Sequence, residues 1–449
     1  MFSIGRPAVM ALLKLALPLV LTGLMESTVF FFDTLFLAKL GPKIMAAGAL
    51  VSWLAGTFWL IFFSALAAIN LLVAYQYGAK NREMIACVLR DGLRLSVMLV
   101  IPSMLLFWFM ADCFSYFGQS EELVSLSRVY LQSLVPGMLP SFMSIALLEF
   151  LMGLGEASLL LKFSVLSSGL NIGLTYLLIF GKWGFPAMGI AGAGWGWTIG
   201  TAISFMVLLT YLWCRRHHYP YFHQLLNLNN PRFYTELLKA GIPMGLMYSV
   251  EVAFFLVQTF VMGTLGDAVL AANQVVLQFM SVLMSIIFSI AQAVTVRMGH
   301  LLGAGKVLDA KKAAFSGIWI SVILAFTISL VCFIKPELMI AIDFDIHDPK
   351  NVDMVHHAKQ FFIIGGLFQI FEACRVALFG ALRALRDTRF TLMVSIFSFW
   401  LVALPLGCSM ARYGHMGGVG LWWGMMVGVF LSVLILCWRF NFCIKMYGE

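Results

Sequence analysis

Six charged side chains stand inside long apolar segments of this sequence. They are Glu26, Asp33, Glu149, Glu251, Glu372 and Arg375. A charge at the centre of a bilayer costs about 2.5–3.5 kcal/mol on insertion scales, so each one calls for a partner or a function. A carboxyl group that alternates between its neutral and ionised forms can carry a proton, and an ionised one can bind Na⁺ or an organic cation. The set indicates cation-exchange chemistry.

Spacing groups several of these residues on common helix faces. Glu26 and Asp33 are seven residues apart, close to two helical turns, so their carboxylates share one face about 10 Å apart. Glu372 and Arg375 are three apart, which allows a pair within one helix. The alternative for all of these charges is an inward-facing ion pair that only holds helices together.

Uncharged oxygens add to the candidate site. Asn171 and Thr175 are four residues apart and lie on one face of another apolar segment. Together with Glu26 and Asp33 they predict a cation-coupling site. Taken alone, an asparagine in such a helix is more often only hydrogen-bonded packing.

The segments that carry these residues are too apolar for a water-soluble protein. Of 449 residues, 61% are hydrophobic and 11% are charged, whereas soluble domains have about 45–50% and about 25%. This composition excludes a cytosolic enzyme, a nucleic-acid-binding module and a disordered scaffold. The net charge of +8 then reflects Lys and Arg in loops rather than a nucleic-acid partner.

Twelve apolar runs are long enough to span a bilayer, which takes about 20 residues. They lie near 11–38, 46–75, 93–116, 125–154, 163–181, 190–213, 240–263, 269–298, 313–334, 355–382, 390–411 and 417–438. With the N-terminus inside, 20 Lys and Arg fall on the inner side and 8 on the outer side. This bias predicts that both termini are cytoplasmic.

The two halves of the chain are related. A shift of 225 aligns residues 14–79 with 239–304 without a gap, and 11 of the 38 positions in 14–51 are identical. Pro18 meets Pro243, Glu26 meets Glu251, and Asp33 meets Gln258, which keeps a polar group. The repeat predicts two six-helix lobes related by a pseudo-two-fold axis along the membrane normal. We expect an amino-terminal lobe at 1–213, a cytoplasmic linker at 214–239 and a carboxy-terminal lobe at 240–449.

No motif predicts a cofactor or a tightly bound metal. The eight cysteines are scattered without a C-x-x-C, and the histidines lack metal-ligand spacing. The glycine-rich segments at 78–81 and 303–306 lack the spacing of a phosphate-binding loop, which argues against ATP-driven export. The expected ion is a coupling H⁺ or Na⁺, with Na⁺ bound at Asp33 or Glu251.

A series of short motifs points to a known family. It includes Phe32-Asp33-Thr34, Gln76-Tyr77-Gly78-Ala79, Asn171, Lys239-Ala240-Gly241-Ile242-Pro243, Ala272-Asn273-Gln274 and Leu382-Arg383-Ala384-Leu385-Arg386-Asp387-Thr388. In order and spacing the chain resembles the multidrug and toxic compound extrusion (MATE) family, and most of all its NorM-type bacterial branch. The resemblance implies a twelve-helix antiporter that exchanges drugs, often cationic, for Na⁺ or H⁺ across the bacterial inner membrane.

The resemblance also assigns sites. By position, Asp33 and Asn171 match the cation site of the amino lobe, and Glu251 and Glu372 match the acids of the carboxy lobe. This sequence departs from the NorM-type pattern at three of the candidate positions. It has Glu372 in place of Asp, Thr175 in place of a second Asn, and Glu26 in place of Gln. The family suggests no role for Glu149.

The sequence therefore predicts a secondary active multidrug exporter that works by rocking-type alternating access. The predicted cation-coupling residues are Asp33, Asn171, Thr175 and Glu26, and the predicted carboxy-lobe cation and substrate residues are Glu251, Glu372, Gln258 and Arg375. We expect small organic cations or drugs and the lipid bilayer as partners, no nucleic acid, and a monomer. The alternatives are a lipid-linked precursor flippase of the same superfamily, for which a more basic cavity is expected, and a membrane-embedded transferase.

Overall fold

The computed structural model describes residues 6–116, 118–222, 232–341, 346 and 348–448. Regular structure in this part of the chain is helical, and twelve helices are long and apolar enough to cross a membrane. In chain order they are α1 (Arg6–Leu40), α2 (Pro42–Gly78), α3 (Arg82–Tyr116), α4 (Glu121–Leu154), α5 (Ala157–Phe180), α6 (Ile190–Cys214), α7 (Tyr234–Gly263), α8 (Asp267–Gly303), α9 (Val307–Ile334), α10 (Val352–Ala384), α11 (Thr388–Arg412) and α12 (Gly418–Met446). The predicted all-α class and the twelve spans are confirmed.

Two of the spans change helix type along their length. In α4 a 3₁₀ turn at Val135–Gly137 separates two α-helical segments. In α11 the residues Ile396–Ala403 form a π-helix between two shorter α-helical segments. Such π segments often mark functional sites, because they re-aim side chains relative to a regular helix.

The sequence repeat is visible in the helix bounds. Helices α2 and α8 each have 37 residues, and each end of α8 lies 225 positions after the same end of α2. Gly41 and Gly266 precede them with φ of +121° and +129°, a backbone region that favours glycine. The same shift relates the first residues of α3 and α9. The repeat thus preserves the turn geometry as well as the residues.

Helix α3 begins at Arg82, well before the apolar run predicted from residue 93. Two of the polar residues that obscured this start, Arg90 and Asp91, are buried inside the protein. Arg90 donates from Nε to Asp91 Oδ1 at 2.9 Å, and Asp91 Oδ2 accepts from the backbone N–H groups of Arg232 and Phe233 at 2.8 and 3.0 Å. Asp91 therefore accepts hydrogen bonds from backbone N–H groups at the start of α7. The charged residues at this position belong to a helix and not to a loop.

The chain forms two compact units. One, the amino unit, is Leu21–Gly245, and the other, the carboxy unit, is Met1–Val20 with Leu246–Glu449. The first part of α1 therefore belongs to the carboxy unit and the first part of α7 to the amino unit. The two crossing points, after Val20 and after Gly245, are themselves 225 residues apart. Of the predicted linker at 214–239, residues 223–231 lie outside the described residues.

A row of glycines closes the contact between α5 and α6 in the amino unit. Gly192, Gly196 and Gly200 recur every four residues on one face of α6. A Cβ atom at Gly196 would lie 2.5 Å from Thr175 Cα, and one at Gly200 would lie 3.3 Å from Asn171 Cα. The row brings the two backbones together, as small residues do between membrane helices.

The carboxy unit repeats this arrangement between α12 and α11. Gly420, Gly424 and Gly428 face the end of the π-helix and the segment that follows it, with a Cβ at Gly424 lying 2.6 Å from the Ala403 carbonyl oxygen. Phe399 of the π-helix is fully buried and contacts Phe254 of α7 at 4.8 Å between ring centroids. This packing orients the π-helix toward α7 and α10.

Candidate functional site

Asp33 lies on α1 in the part that belongs to the amino unit. Its Oδ1 atom is buried and has no hydrogen-bond partner among the described residues. Aromatic contacts hold this part of α1 against α5, with Phe36 at 5.6 Å from Tyr176 and 6.0 Å from Phe180 between ring centroids. Asp33 is thus a half-buried acid, with one buried carboxylate oxygen and no neutralising base among the described residues.

Asn171 and Thr175 lie on the face of α5 that packs against α6. Asn171 is 6% exposed and Thr175 is fully buried. Neither Asn171 Oδ1 nor Thr175 Oγ1 has a hydrogen-bond partner among the described residues. The Thr175 hydroxyl lies beside Gly196, 2.6 Å from where a Cβ would stand. Both residues therefore offer an uncommitted oxygen, and that of Thr175 is directed toward α6.

The level of Asp33 in the bundle follows from the aromatic contacts. Successive spans reverse direction, so α1 and α5 run the same way. Asp33 precedes Phe36 by three residues and Gly173 precedes Tyr176 by three, which places Asp33 at the level of Gly173, on the face of α5 opposite to Asn171. A Cβ at Gly169 or Gly173 would meet no atom within 4 Å. This side of α5 therefore borders open space at the level of the acid.

The other two acids of the amino unit differ from Asp33. Glu26 is exposed, and no described residue donates a hydrogen bond to it. Glu149 is buried in α4, where its Oε2 accepts from Asn70 Nδ2 of α2 at 2.5 Å. Asn70 is a polar residue inside span two that the sequence analysis did not select. Glu149 thus joins two helices of the amino unit.

In the carboxy unit, Glu251, Glu372, Arg375 and Ser395 form one buried ion cluster. Arg375 Nη1 and Nη2 donate to Glu251 Oε1 and Oε2 at 2.7 and 3.2 Å. Its Nε donates to Glu372 Oε2 at 2.7 Å, and its Nη2 also binds Glu372 Oε1. The Ser395 hydroxyl donates to Glu251 Oε1 at 2.8 Å. Each carboxylate is held by a forked guanidinium, the strongest arrangement available to such a pair.

Aromatic rings cover the guanidinium of this cluster. Its Cζ atom lies 4.6 Å from the ring centroid of Phe379 and 4.9 Å from that of Phe399. Ring faces attract cations, and more strongly where water is excluded. Two carboxylates and one guanidinium leave the ion cluster with a formal charge of −1 when all are ionised. The pair predicted between Glu372 and Arg375 is therefore present, and Glu251 shares the same base.

Gln258 lies outside the ion cluster and Ser395 lies within it. Gln258 lies two turns from Glu251 on α7, is 1% exposed, and has no hydrogen-bond partner among the described residues, so it is not part of the ion cluster. Ser395, which the sequence analysis missed, stands where α11 changes to a π-helix. A polar residue in an apolar span was the available signal. In the described part of the chain no three His, Cys, Asp or Glu side chains are grouped as metal ligands.

Comparison with known proteins gives a consistent result over the whole chain. The MatE family profile matches residues 18–177 and 243–408. "Probable multidrug resistance protein NorM" of Pseudomonas aeruginosa is 32% identical over 438 residues, covering 96% of this chain and 88% of the relative. "Multidrug resistance protein NorM" of Burkholderia vietnamiensis is 30% identical over 431 residues, covering 95% of this chain and 92% of the relative.

Solved structures share the fold. An outward-facing multidrug resistance MATE family transporter of the MOP superfamily superposes with a TM-score of 0.89 at 18% identity, covering 99% of this chain and 98% of the other. A eukaryotic MATE transporter superposes with a TM-score of 0.81 at 20% identity, covering 99% and 98%. With the helices, the repeat and the full-length relatives taken together, this chain is a multi-pass membrane protein and a member of the MATE family of multidrug transporters.

Proposed function

We propose that this chain is a secondary active exporter that moves organic, mostly cationic compounds out of the cell in exchange for H⁺ or Na⁺. The observation that carries the proposal is the uncommitted oxygen set of the amino unit, formed by Asp33 Oδ1 and Asn171 Oδ1, with Thr175 Oγ1 one turn further along α5. Buried acceptors without donors favour a cation, because a cation supplies the missing positive charge.

The contrast between the two units supports the amino unit as the coupling site. In the carboxy unit, Arg375 and Ser395 already satisfy Glu251 and Glu372. A further cation there competes with a buried guanidinium. Asp33 has no such competitor among the described residues, so its carboxylate can bind a proton or Na⁺ without first releasing a protein cation. In this proposal the carboxy ion cluster, with Glu251, Glu372 and Arg375, tunes cation and substrate affinity from the second lobe.

The proposed cycle is competition between two cations. The coupling ion binds Asp33 from outside, lowers the affinity for the drug, and is carried inward as the transporter returns. A ligand shifts a conformational equilibrium only through its different affinity for the two states, so the drug and the ion must favour opposite states. We further propose rocking of two lobes in the bacterial inner membrane, with both termini cytoplasmic, on the basis of the 225-residue repeat and the distribution of Lys and Arg.

The first test replaces Asp33 by Asn, which removes the charge and keeps the shape. The purified transporter is reconstituted in vesicles, and efflux of a fluorescent organic cation is driven in turn by a proton gradient and by a Na⁺ gradient. A charge-assisted contact contributes about 1.5–3 kcal/mol, so we expect coupling-ion affinity to fall by about 10- to 100-fold and gradient-driven efflux to collapse.

The matched control is Asp112→Asn, the same change at a half-exposed carboxylate that pairs with Arg128 at 2.5 Å near the end of α3. It should keep the wild-type rate. Response of the wild type to one gradient alone identifies the coupling ion. Full gradient-driven efflux by Asp33→Asn would contradict the assignment of the amino unit.

A further inference from the structure

The carboxy unit buries four amide and indole side chains that have no hydrogen-bond partner among the described residues. They are Gln258 of α7, Asn273 of α8, Gln369 of α10 and Trp422 of α12, here called the polar quartet, and they are 1%, 0%, 2% and 0% exposed. Within the described residues, none of their seven side-chain nitrogen and oxygen atoms makes a hydrogen bond. Buried amides and indoles are normally satisfied, because an unpaired polar group is costly to hold in an apolar interior.

Three members of the polar quartet lie one helical turn below a common packing layer. That layer, the glycine layer, is centred on Gly418, where a Cβ would lie 2.5 Å from Phe361, 2.9 Å from Val269 and 3.2 Å from the sulfur of Met262.

Gln258 precedes Met262 by four residues, Asn273 follows Val269 by four, and Trp422 follows Gly418 by four. Because α7 runs opposite to α8 and α12, all three displacements lead in the same direction.

Gln369 continues this series toward the ion cluster. It follows Gly365 by four residues, and a Cβ at Gly365 would lie 3.1 Å from the indole ring of Trp422. Glu372 is the next polar residue on that helix, three positions further. The polar quartet therefore occupies the space between the glycine layer and the buried carboxylates.

The chemistry of the seven atoms selects the occupant. Three are amide oxygens, which accept hydrogen bonds, and four are amide or indole nitrogens, which donate them. A metal cation would satisfy the oxygens and leave every donor unpaired. Water both donates and accepts, and buried water binds where about three protein groups converge.

We propose that the polar quartet encloses a cluster of bound water molecules directly above the ion cluster of Glu251, Glu372 and Arg375. The cluster hydrates the interior of the carboxy unit and forms a hydrogen-bonded relay along which a proton reaches Glu372. The relay role rests on the proposed antiport, whereas the presence of water does not, so the first experiment measures water alone.

The experiment is radiolytic hydroxyl-radical labelling of the full-length transporter in lipid nanodiscs. Radicals formed from bound water oxidise the side chains beside it. Trp422 is fully buried, and we expect it to be oxidised well above Phe142, a fully buried ring of the amino unit, after correction for the reactivity of each ring. The paired variant Gln258→Leu with Gln369→Leu should lose this labelling.

The matched control is Gln278→Leu, at an exposed glutamine of α8, which should leave Trp422 labelling unchanged. Labelling of wild-type Trp422 no higher than that of Phe142, or unchanged labelling in the paired variant, overturns the proposal. Loss of labelling with no effect on Asp33-dependent efflux would keep the water site and separate it from the coupling mechanism.

A second measurement does not depend on labelling. Gln369→Met keeps the volume and removes the polar atoms. If bound water satisfies the Gln369 amide, the variant removes the hydrogen bonds of that water and the unfolding temperature falls. If Gln369 is dry and unpaired, the same variant relieves a burial cost and the unfolding temperature rises, which would overturn the proposal. Gln278→Met should leave the unfolding temperature unchanged.

Discussion

At the scale of single residues, Arg375 sets the charge balance of the carboxy unit. It is fully buried, binds two carboxylates and lies between two aromatic rings. Removing one partner from a buried ionic group is far more damaging than removing a surface pair, because the remaining charges stay buried without a counter-charge.

We therefore predict that Arg375→Gln lowers the free energy of unfolding by about 3–5 kcal/mol, since it leaves two buried acids unpaired. Denaturant unfolding in detergent measures the loss. Arg128→Gln is the comparison, because its partner Asp112 is half exposed, and such a surface pair contributes about 0–1 kcal/mol. Equal losses in the two variants would show that Arg375 is not the neutralising group.

The same residues mark how far sequence can predict a site. The pair of Glu372 and Arg375 follows from helix periodicity alone. Glu251 joins this pair because the Arg375 side chain of α10 reaches α7. That contact depends on tertiary packing, which helix periodicity does not predict. Glu26 is exposed, and this exposure depends on the rotation of α1, which the weak polar pattern of that helix does not fix.

At the scale of elements, the glycine row of α6 determines where α5 lies, and α5 carries Asn171 and Thr175. A Cβ at Gly196 would stand within 2.5 to 2.6 Å of the Thr175 backbone, so the backbone itself has to move. A displacement of the Thr175 backbone would change the affinity for the coupling cation as well as the stability of the protein.

We predict that Gly196→Ala lowers the free energy of unfolding by about 1–3 kcal/mol and weakens cation-driven efflux, because overpacking pushes α5 and its Asn171 and Thr175 away from α6. Unfolding and vesicle efflux measure the two effects. At Gly56 of α2 a Cβ meets nothing within 4 Å. Gly56→Ala should accordingly stabilise the protein by up to about 1 kcal/mol, because alanine favours the helix. A neutral Gly196→Ala would refute the role of the row.

The existence of the membrane-spanning helices is easier to predict from the sequence than the residues at which they begin and end. Long apolar runs require helices, since a backbone in lipid must satisfy its own hydrogen bonds. The sequence places the start of α3 too late, because charged residues such as Arg90 and Asp91 are typical of loops. Their burial depends on the contact between Asp91 and the start of α7, which the sequence does not reveal. The π-helix of α11 has no local sequence signal, and it depends on packing against α12.

At the scale of the whole molecule, the distribution of Lys and Arg predicts topology. Twenty lie on the proposed inner side and eight on the outer side. A fluorescent protein joined to the carboxyl end should therefore fluoresce, because it folds in the cytoplasm, and alkaline phosphatase joined there should be inactive.

The complementary fusion places alkaline phosphatase after Tyr413, in the loop between α11 and α12, where we expect full phosphatase activity. The opposite pattern of activities would invert the topology and the direction assigned to the transport cycle. The even number of spans makes the two ends of the chain equivalent in this respect.

The division of α1 and α7 between the two compact units has a consequence for biosynthesis. Residues up to Val20 leave the ribosome before Leu21–Gly245, yet their compact unit is completed by Leu246–Glu449, which leaves after it. The intervening Leu21–Gly245 unit can assemble during translation, but it needs the opening turns of α7 to do so. A break of the chain between α6 and α7 would hence deprive each fragment of part of a helix, so the two fragments would have to meet in the membrane before either could mature.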